Sequence, residues 1–401
     1  MTDTTTVVDP SDQLYSWLTS MREDDPVHLD EHGVVNVFRH EHVSRVLGET
    51  KTFSSDLRRY APPEFIPRSP EGDMISEGNV IGMDPPEHHD LRGLIVSVFT
   101  PRVVDALIPR ITEIATDLLD AADQDGSFDL VDTLSYPLPV IVIAELLGVP
   151  ISDQPIFRRW AEELIAGSNV GQSLLPDENE IATRMSTLGE MRDYLLAQAR
   201  TRRDNPTDDL IGRLVAAEVD GERLTDGQIV GFAAVLLLAG HVTTTATLGN
   251  AVYCLDRTPE ATEALRADPR LVPACVEEVI RYRSPFPRLA RVTTTEVELG
   301  GRTVPSGTIV IPWVAAANRD PRVFADPDRF DVHRSTTGHL AFGHGIHFCI
   351  GSRLARVEAR VVLDLLIRRY GTVAVDPTGG VEFTNPYSMI GVSRLPVTVT
   401  R

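Results

Sequence analysis

The chain has 401 residues, 42% of them hydrophobic, with 58 acidic against 38 basic side chains and a formal net charge of −20. That length can bury a large core, and the acidic balance argues against a nucleic-acid binder, which needs a basic face for phosphate. Three cysteines, Cys254, Cys275 and Cys349, are too few for a disulfide framework or an iron–sulfur cluster and fit a reducing compartment.

Met1 to Thr6 carry neither a basic flank nor an apolar core of signal-peptide length, so we expect a cytoplasmic protein without a membrane anchor. No repeat, low-complexity linker or composition break divides the sequence, and residues 1–401 are expected to form one domain. Asp12 to Ser20 reads as a short helix and Val34 to Phe38 as a strand. Tyr60 to Gly82 is rich in Pro and Gly and aperiodic, which predicts a long loop, either a binding loop or a connector.

Asp84-Pro85-Pro86-Glu87 is a helix-start signal, and it sets His88 and Arg92 four residues apart on one helix face. Two potential cations facing one way suit a pair of carboxylates; a charged surface helix is the plainer reading. From about Arg102 to Ala217 the pattern is mainly helical, with Ile108, Ile111, Ile114 and Leu118 on one face and Val140 to Leu147 more fully apolar. Gly167 to Pro176 is a weakly patterned break.

Thr225-Asp226-Gly227-Gln228 has the form of a capping box and opens a long helix reaching about Leu255. Phe232 to Ala239 is apolar on every face, which predicts an interior helix; its length and glycines argue against a membrane span. The run Thr243-Thr244-Thr245 is a poor helix former whose hydroxyls compete for backbone hydrogen bonds, so a buried helix carrying it invites a functional explanation.

Glu278 and Arg281 form an i, i+3 pair, worth little when exposed. The prolines of Ser284-Pro285-Phe286-Pro287 end the preceding helix, and Val292 to Val310 reads as a small antiparallel sheet. Phe342-Gly343-His344-Gly345-Ile346-His347-Phe348-Cys349-Ile350-Gly351 then leads into a helix from about Ser352 to Tyr370. A cysteine at a helix N-terminus is favoured as thiolate, the form that ligates metal, and the glycines let backbone approach a flat ligand. Zinc would need more ligands than His344 and His347, and a dinucleotide loop fails at Phe348, where a third glycine is required. A lone cysteine is otherwise a small buried hydrophobe.

The ten-residue string resembles the haem-binding loop of the cytochrome P450 family, with Phe342, Gly343, Gly345, His347, Cys349 and Gly351 on the family pattern. The other motifs match in the same order, so the resemblance spans essentially the whole chain. It implies a mainly α fold with a smaller β region and a long central helix over haem b. Cys349 would be the metal ligand, in a loop formed with Phe342, Gly343 and Gly351. His88, Arg92, Arg291 and His347 would meet the propionates, and Ala239 and Gly240 would pass over the haem. Thr243 matches the threonine of the family's acid–threonine pair, but Val242 holds the acidic position. His241, Thr244, an ordered water chain or a substrate hydroxyl would then have to stand in. Glu278, Arg281 and Arg329 would form a buried structural network.

The resemblance further implies a monooxygenase that hydroxylates or epoxidises a mostly apolar, polyketide- or macrolide-like secondary metabolite. The pocket would draw on Leu236, Val242, Phe286, Leu289, Met389 and Ile390, with Tyr60 to Gly82 and the roof at Gly167 to Pro176. Dioxygen would be the co-substrate, with electrons from NAD(P)H through a ferredoxin and its reductase, and the protein would act as a monomer. Arg353, Arg356 and Arg360 are either part of the docking face or a solvated helix face. Arg288 would meet a substrate carboxylate or carbonyl, or form a surface salt bridge. A peroxide-driven haem-thiolate enzyme, prompted by Val242, and a non-catalytic haem sensor or carrier are the alternatives.

Overall fold

The longest helix among the described residues, Asp226–Asp256, has 31 residues, and helices from both halves of the chain are laid against it. The computed structural model describes residues 7–61, 70–98, 100–122, 126–166, 178–219 and 222–401. Among these the protein is mainly helical, with short strands gathered in a smaller β region.

The central helix begins at the expected capping box. The Gln228 amide donates to Thr225 Oγ1 at 3.0 Å, and the Thr225 amide donates to Gln228 Oε1 at 3.0 Å. Pro137–Leu147, Glu178–Asp204, Val272–Tyr282 and Ser352–Arg369 pack around it, which is why its sequence is apolar all round. Its 31 residues do suffice to cross a membrane by length and composition, so the length argument fails. What the structure offers instead is burial, with 61% of its most apolar window covered by protein.

The threonine run does not break the helix. Thr243 and Thr244 hydroxyls donate back to Ala239 O and Gly240 O at 2.9 and 3.2 Å, so the side chains share carbonyls rather than displace them.

The expected N-terminal helix is Ser11–Asp24, and the strand is Val35–Val37. The β region is wider than a local antiparallel sheet. Its five strands run in the order Val27–Leu29, Val35–Val37, Ile309–Pro312, Arg291–Thr293, Phe53–Ser54, and the pairing of Val35–Val37 with Ile309–Pro312 is parallel. Val297–Leu299 and Arg302–Val304 form the expected hairpin. Of the stretch Tyr60 to Gly82, residues 62–69 lie outside the described residues. The remainder is largely helical, at Leu57–Tyr60, Pro70–Ser76 and Val80–Gly82, which corrects the expected loop. The break at Gly167 to Pro176 also lies outside the described residues.

Candidate active site around Cys349

The loop before Ser352–Arg369 turns twice through positive φ, at Gly343 (76°) and Gly345 (70°), where a side chain would be strained. A Cβ on Gly345 would also press on Gly48 Cα at 3.3 Å. The loop closes where the Cys349 amide donates to Phe342 O at 2.8 Å, and Gly351 then starts the helix. Cys349 keeps accessible surface although protein surrounds it on almost every side, which marks a side chain facing an internal chamber. Burial raises the pKa of its thiol. The Gly351 and Ser352 amides, Arg92 and Arg356 pull the other way without prevailing. The helix N-terminus therefore does not by itself deliver the expected thiolate; a bound cation has to complete the balance.

The Glu87–Val98 helix brings His88 and Arg92 beside this loop, and Arg92 donates to Phe348 O. The His88 and His347 rings lie 4.4 Å apart. Burial, followed by neighbouring cations, lowers His88 to about 4 and His347 to about 3, so both are neutral near pH 7. Arg291, at the start of its strand, is lowered to about 10 by burial. Both ring nitrogens of His88, His347 Nε2 and Arg291 Nε are buried without a hydrogen-bond partner. Asp84 acts on His88 and Arg291 only at a distance, because the Ser54 hydroxyl and the Ser55 amide, the latter at 3.0 Å, occupy its oxygens. Two guanidiniums and two imidazoles gathered with unused donors are costly until anions arrive. The two carboxylates of a haem fit that demand, and a soft sulfur at hand fits its iron.

On the central helix Val235, Ala239, Val242 and Thr243 share one stripe and remain partly accessible, as do Leu238, Gly240 and Thr245 to either side, so this side of an interior helix borders open space. Leu236 borders the stripe. Thr243 hence presents its hydroxyl to that space, and Val242 beside it offers only methyl groups. His241 and Thr244 lie on the other side of the helix. His241 is buried with Nδ1 on Leu237 O and its ring 6.0 Å from that of Tyr136; burial lowers it to about 4. Gly240 serves packing, because a Cβ there would meet Ile143 Cδ1 at 2.7 Å.

Behind Thr244 is a residue that the sequence reading passed over. Glu358 is fully buried on the Ser352–Arg369 helix beside the Thr244 hydroxyl. That hydroxyl donates to Gly240 O, leaving both Glu358 oxygens without a hydrogen-bond partner. Burial raises Glu358 to about 8, so it is mostly protonated at neutral pH. The signal was present in the sequence, since Glu358 stands four residues after Leu354 and three before Val361 on the apolar side of a helix.

The buried ion pair Glu278–Arg281 is bidentate at 2.7 and 2.8 Å, and Arg281 also donates to Asn318 O and Pro327 O. Its third member is Arg334, at 3.2 Å from Glu278 Oε1, and not Arg329, which is exposed and joins through its backbone carbonyl alone. The chain loops back after Phe330, so Arg334 reaches the carboxylate.

Phe286 and Leu289 are half-buried between that helix and the sheet, whereas Met389 and Ile390 are buried. Ile390 packs in the core with Phe38 and Trp313. Arg288 is no surface ion pair: its guanidinium sits 5.1 Å over the Trp313 ring. Arg353 is paired with Asp105 and Arg356 with Glu277, while Arg360 donates to Arg356 O. A cleft of about 470 Å³ lined by Asp9, Tyr253, Arg283 and Arg319 contains none of the residues around Cys349.

Comparison with known proteins gives a consistent picture. The family model described as Cytochrome P450 matches residues 26–400. The chain is 46% identical to the erythromycin C-12 hydroxylase of Saccharopolyspora erythraea, covering 90% of this chain and 88% of that protein. It is 42% identical to the cyclomarin C epoxidase CymV of Salinispora arenicola, covering 92% and 91%. Among solved structures, ligand-free TbtJ1 superimposes with a TM-score of 0.86 at 44% identity, over 98% of this chain and 99% of that one.

Proposed function

The chain belongs to the cytochrome P450 family, and from that premise we propose that it hydroxylates or epoxidises a polyketide- or macrolide-like metabolite. It is an oxidoreductase of the haem-thiolate monooxygenase class, and membership brings haem b as cofactor and dioxygen as co-substrate. The relatives named for erythromycin and cyclomarin C support a substrate of that kind. The observation that carries the residue assignment is the gathering of Cys349 with His88, Arg92, Arg291 and His347, all poor in anionic partners.

Bound haem b supplies the redox chemistry, in which a thiolate-ligated iron favours O–O cleavage and transfer of one oxygen atom to substrate. Cys349 Sγ would hold the iron, with the Gly351 and Ser352 amides tempering the charge on the sulfur. His88, Arg92, Arg291 and His347 would hold the two carboxylates of the haem. Leu236, Val242, Phe286 and Leu289 keep the substrate side apolar and exclude water. The Thr243 hydroxyl donates a hydrogen bond to Ala239 O, so its lone pairs are left to accept. Glu358 keeps a proton at neutral pH beside Thr244, and a turn of the Thr244 hydroxyl away from Gly240 O opens a route for it.

Electrons come from NAD(P)H through a ferredoxin and its reductase, to a cytoplasmic monomer working as one domain. The docking surface includes the cleft lined by Pro273, Ala274, Glu277, Arg353, Arg356 and Arg360. A second reading, with peroxide as the oxidant, draws on Val242. Turnover with peroxide alone exceeding turnover with the reductase system favours it.

The test is a carbon-monoxide difference spectrum of the reduced protein and of Cys349→His. A strongly red-shifted Soret band lost in the variant is expected. A parent band like that of a histidine-ligated haem overturns the assignment of Cys349.

A further inference from the structure

Asn250 is fully buried two turns beyond Thr243 on the central helix, and its amide joins three parts of the chain. Its Nδ2 donates to Ile390 O at 2.8 Å and to Arg283 O at 3.3 Å, while its Oδ1 accepts from Arg283 Nε at 2.9 Å. Arg283 is held in turn by Asp9, its Nη1 lying 2.6 Å from Asp9 Oδ2. The Ile390 amide closes the circuit by donating to Pro285 O at 2.8 Å.

We propose that Asn250 is a positioning residue for substrate, clamping residues 284–290 and 385–391 to the helix that carries Thr243. The proposal rests on the reading above that Phe286 and Leu289 line the substrate side, with residues 385–391 backing them through the Ile390 amide on Pro285 O. The helix is shaped for their approach. A Cβ on Gly249 would meet Val392 Cγ2 at 2.4 Å, and one on Gly391 would meet Ala246 Cβ at 3.0 Å, so neither position admits a side chain without displacing the segment. Only an amide fills the Asn250 role, because the site presents two carbonyls that need a donor and one guanidinium that needs an acceptor. A carboxylate satisfies the guanidinium and leaves both carbonyls unpaired. The clamp thus sets how far Phe286 and Leu289 stand from Thr243, which fixes the size of molecule the chamber takes.

The test uses the haem-loaded protein and two probes, imidazole and dodecylimidazole, whose binding is read from the Soret shift. Imidazole reports the haem side alone; the long alkyl chain reports the walls. In Asn250→Asp the ratio of the two dissociation constants is expected to move by about three- to tenfold, the net worth of the lost hydrogen bond to Ile390 O, the one that reaches the 385–391 segment. Hydrogen exchange of peptides covering 284–290 and 385–391 is expected to quicken, with the carbon-monoxide band of the reduced protein unchanged. A ratio equal to the parent's overturns the proposal, whatever the exchange does, since a merely structural asparagine loosens the fold without sorting ligands by length. Where Asn250→Asp fails to hold haem, Asp9→Asn is measured instead. It removes the charge that holds Arg283, whose Nη1 keeps Ser11 Oγ at 3.2 Å, and leaves the Asn250 amide in place, so the ratio should move in the same direction by less, and an unmoved ratio is again fatal. A parent without the red-shifted band strikes the haem-thiolate reading, and the exchange comparison alone then judges the clamp.

Discussion

The imidazoles of His88 and His347 lie 4.4 Å apart with their rings tilted by 60°, and burial keeps both neutral at pH 7. Each has a folded pKa, about 4 and about 3, below the ordinary value of 6.5, so the unfolded chain binds protons that the folded haem-free chain refuses. Stability from this pair is full above pH 6.5 and is lost as pH falls through about 4 and on to about 3. Thermal melts of haem-free protein across that window should show the loss, and a His88→Phe, His347→Phe double variant should flatten it. A slope unchanged in the double variant would place the acid sensitivity elsewhere.

The sign for Glu358 is opposite. Its folded pKa, about 8 against an ordinary 4.5, means that the folded state binds the extra proton, so stability falls as pH rises from about 4.5 to about 8. Glu358→Gln removes that penalty, and its melting temperature should exceed the parent's by most at pH 9. The same variant holds no exchangeable acid, so oxygenated product per electron pair should fall and peroxide release should rise. A more stable variant with unchanged coupling would make Glu358 a structural relic and leave Thr243 to other proton sources.

Thr243→Val keeps the shape of the side chain and removes its hydroxyl. The helix tolerates it, since that hydroxyl bonds back to Ala239 O, so the melting temperature should stay near the parent's. Product formation with the reductase system should fall by about 10²-fold, within the usual range for a lost proton-transfer group. Equal product yields from parent and variant would remove Thr243 from the mechanism.

Arg334 and Arg329 separate cleanly. Arg334 is almost buried against Glu278, and removing one partner of a buried ion pair leaves an uncompensated charge. Arg334→Ala should cost about 3–5 kcal/mol in denaturant unfolding, and Arg329→Ala no more than about 0.5 kcal/mol. The reverse order would restore Arg329 to the network.

This pair also marks where the sequence stops being legible. Local signals survived folding: the capping box at Thr225, the interior character of Phe232 to Ala239, and the glycine-spaced loop around Cys349 all depend on neighbours within a few residues. Which arginine folds back onto Glu278 depends on the path of an irregular segment, and spacing does not encode that. Pairing of Val35–Val37 with Ile309–Pro312 is a contact across most of the chain, equally invisible to periodicity. His241 and Thr244 adjoin Thr243 in sequence, but a helix turns about 100° per residue, so adjacency placed them on the wrong side. Glu358 was visible as an acid among apolar positions; its meaning required Thr244, from another helix, to stand beside it.

Two glycines test whether backbone conformation or space governs the cysteine loop. Gly345 sits at φ 70° with Gly48 Cα 3.3 Å from where a Cβ would be, whereas Gly93, in the Glu87–Val98 helix, has nothing within 4 Å. Alanine at 345 would incur the left-handed penalty of about 1–2 kcal/mol and push the loop away from Gly48. At 93 the same change removes backbone freedom from the unfolded chain and should stabilise by about 0.5–1 kcal/mol. Urea melts of Gly345→Ala and Gly93→Ala should therefore move in opposite directions, and haem retention on dilution should weaken only in Gly345→Ala. If Gly345→Ala melts with the parent, the loop tolerates a Cβ at 345 and its shape is set by the Cys349 to Phe342 hydrogen bond rather than by the glycine.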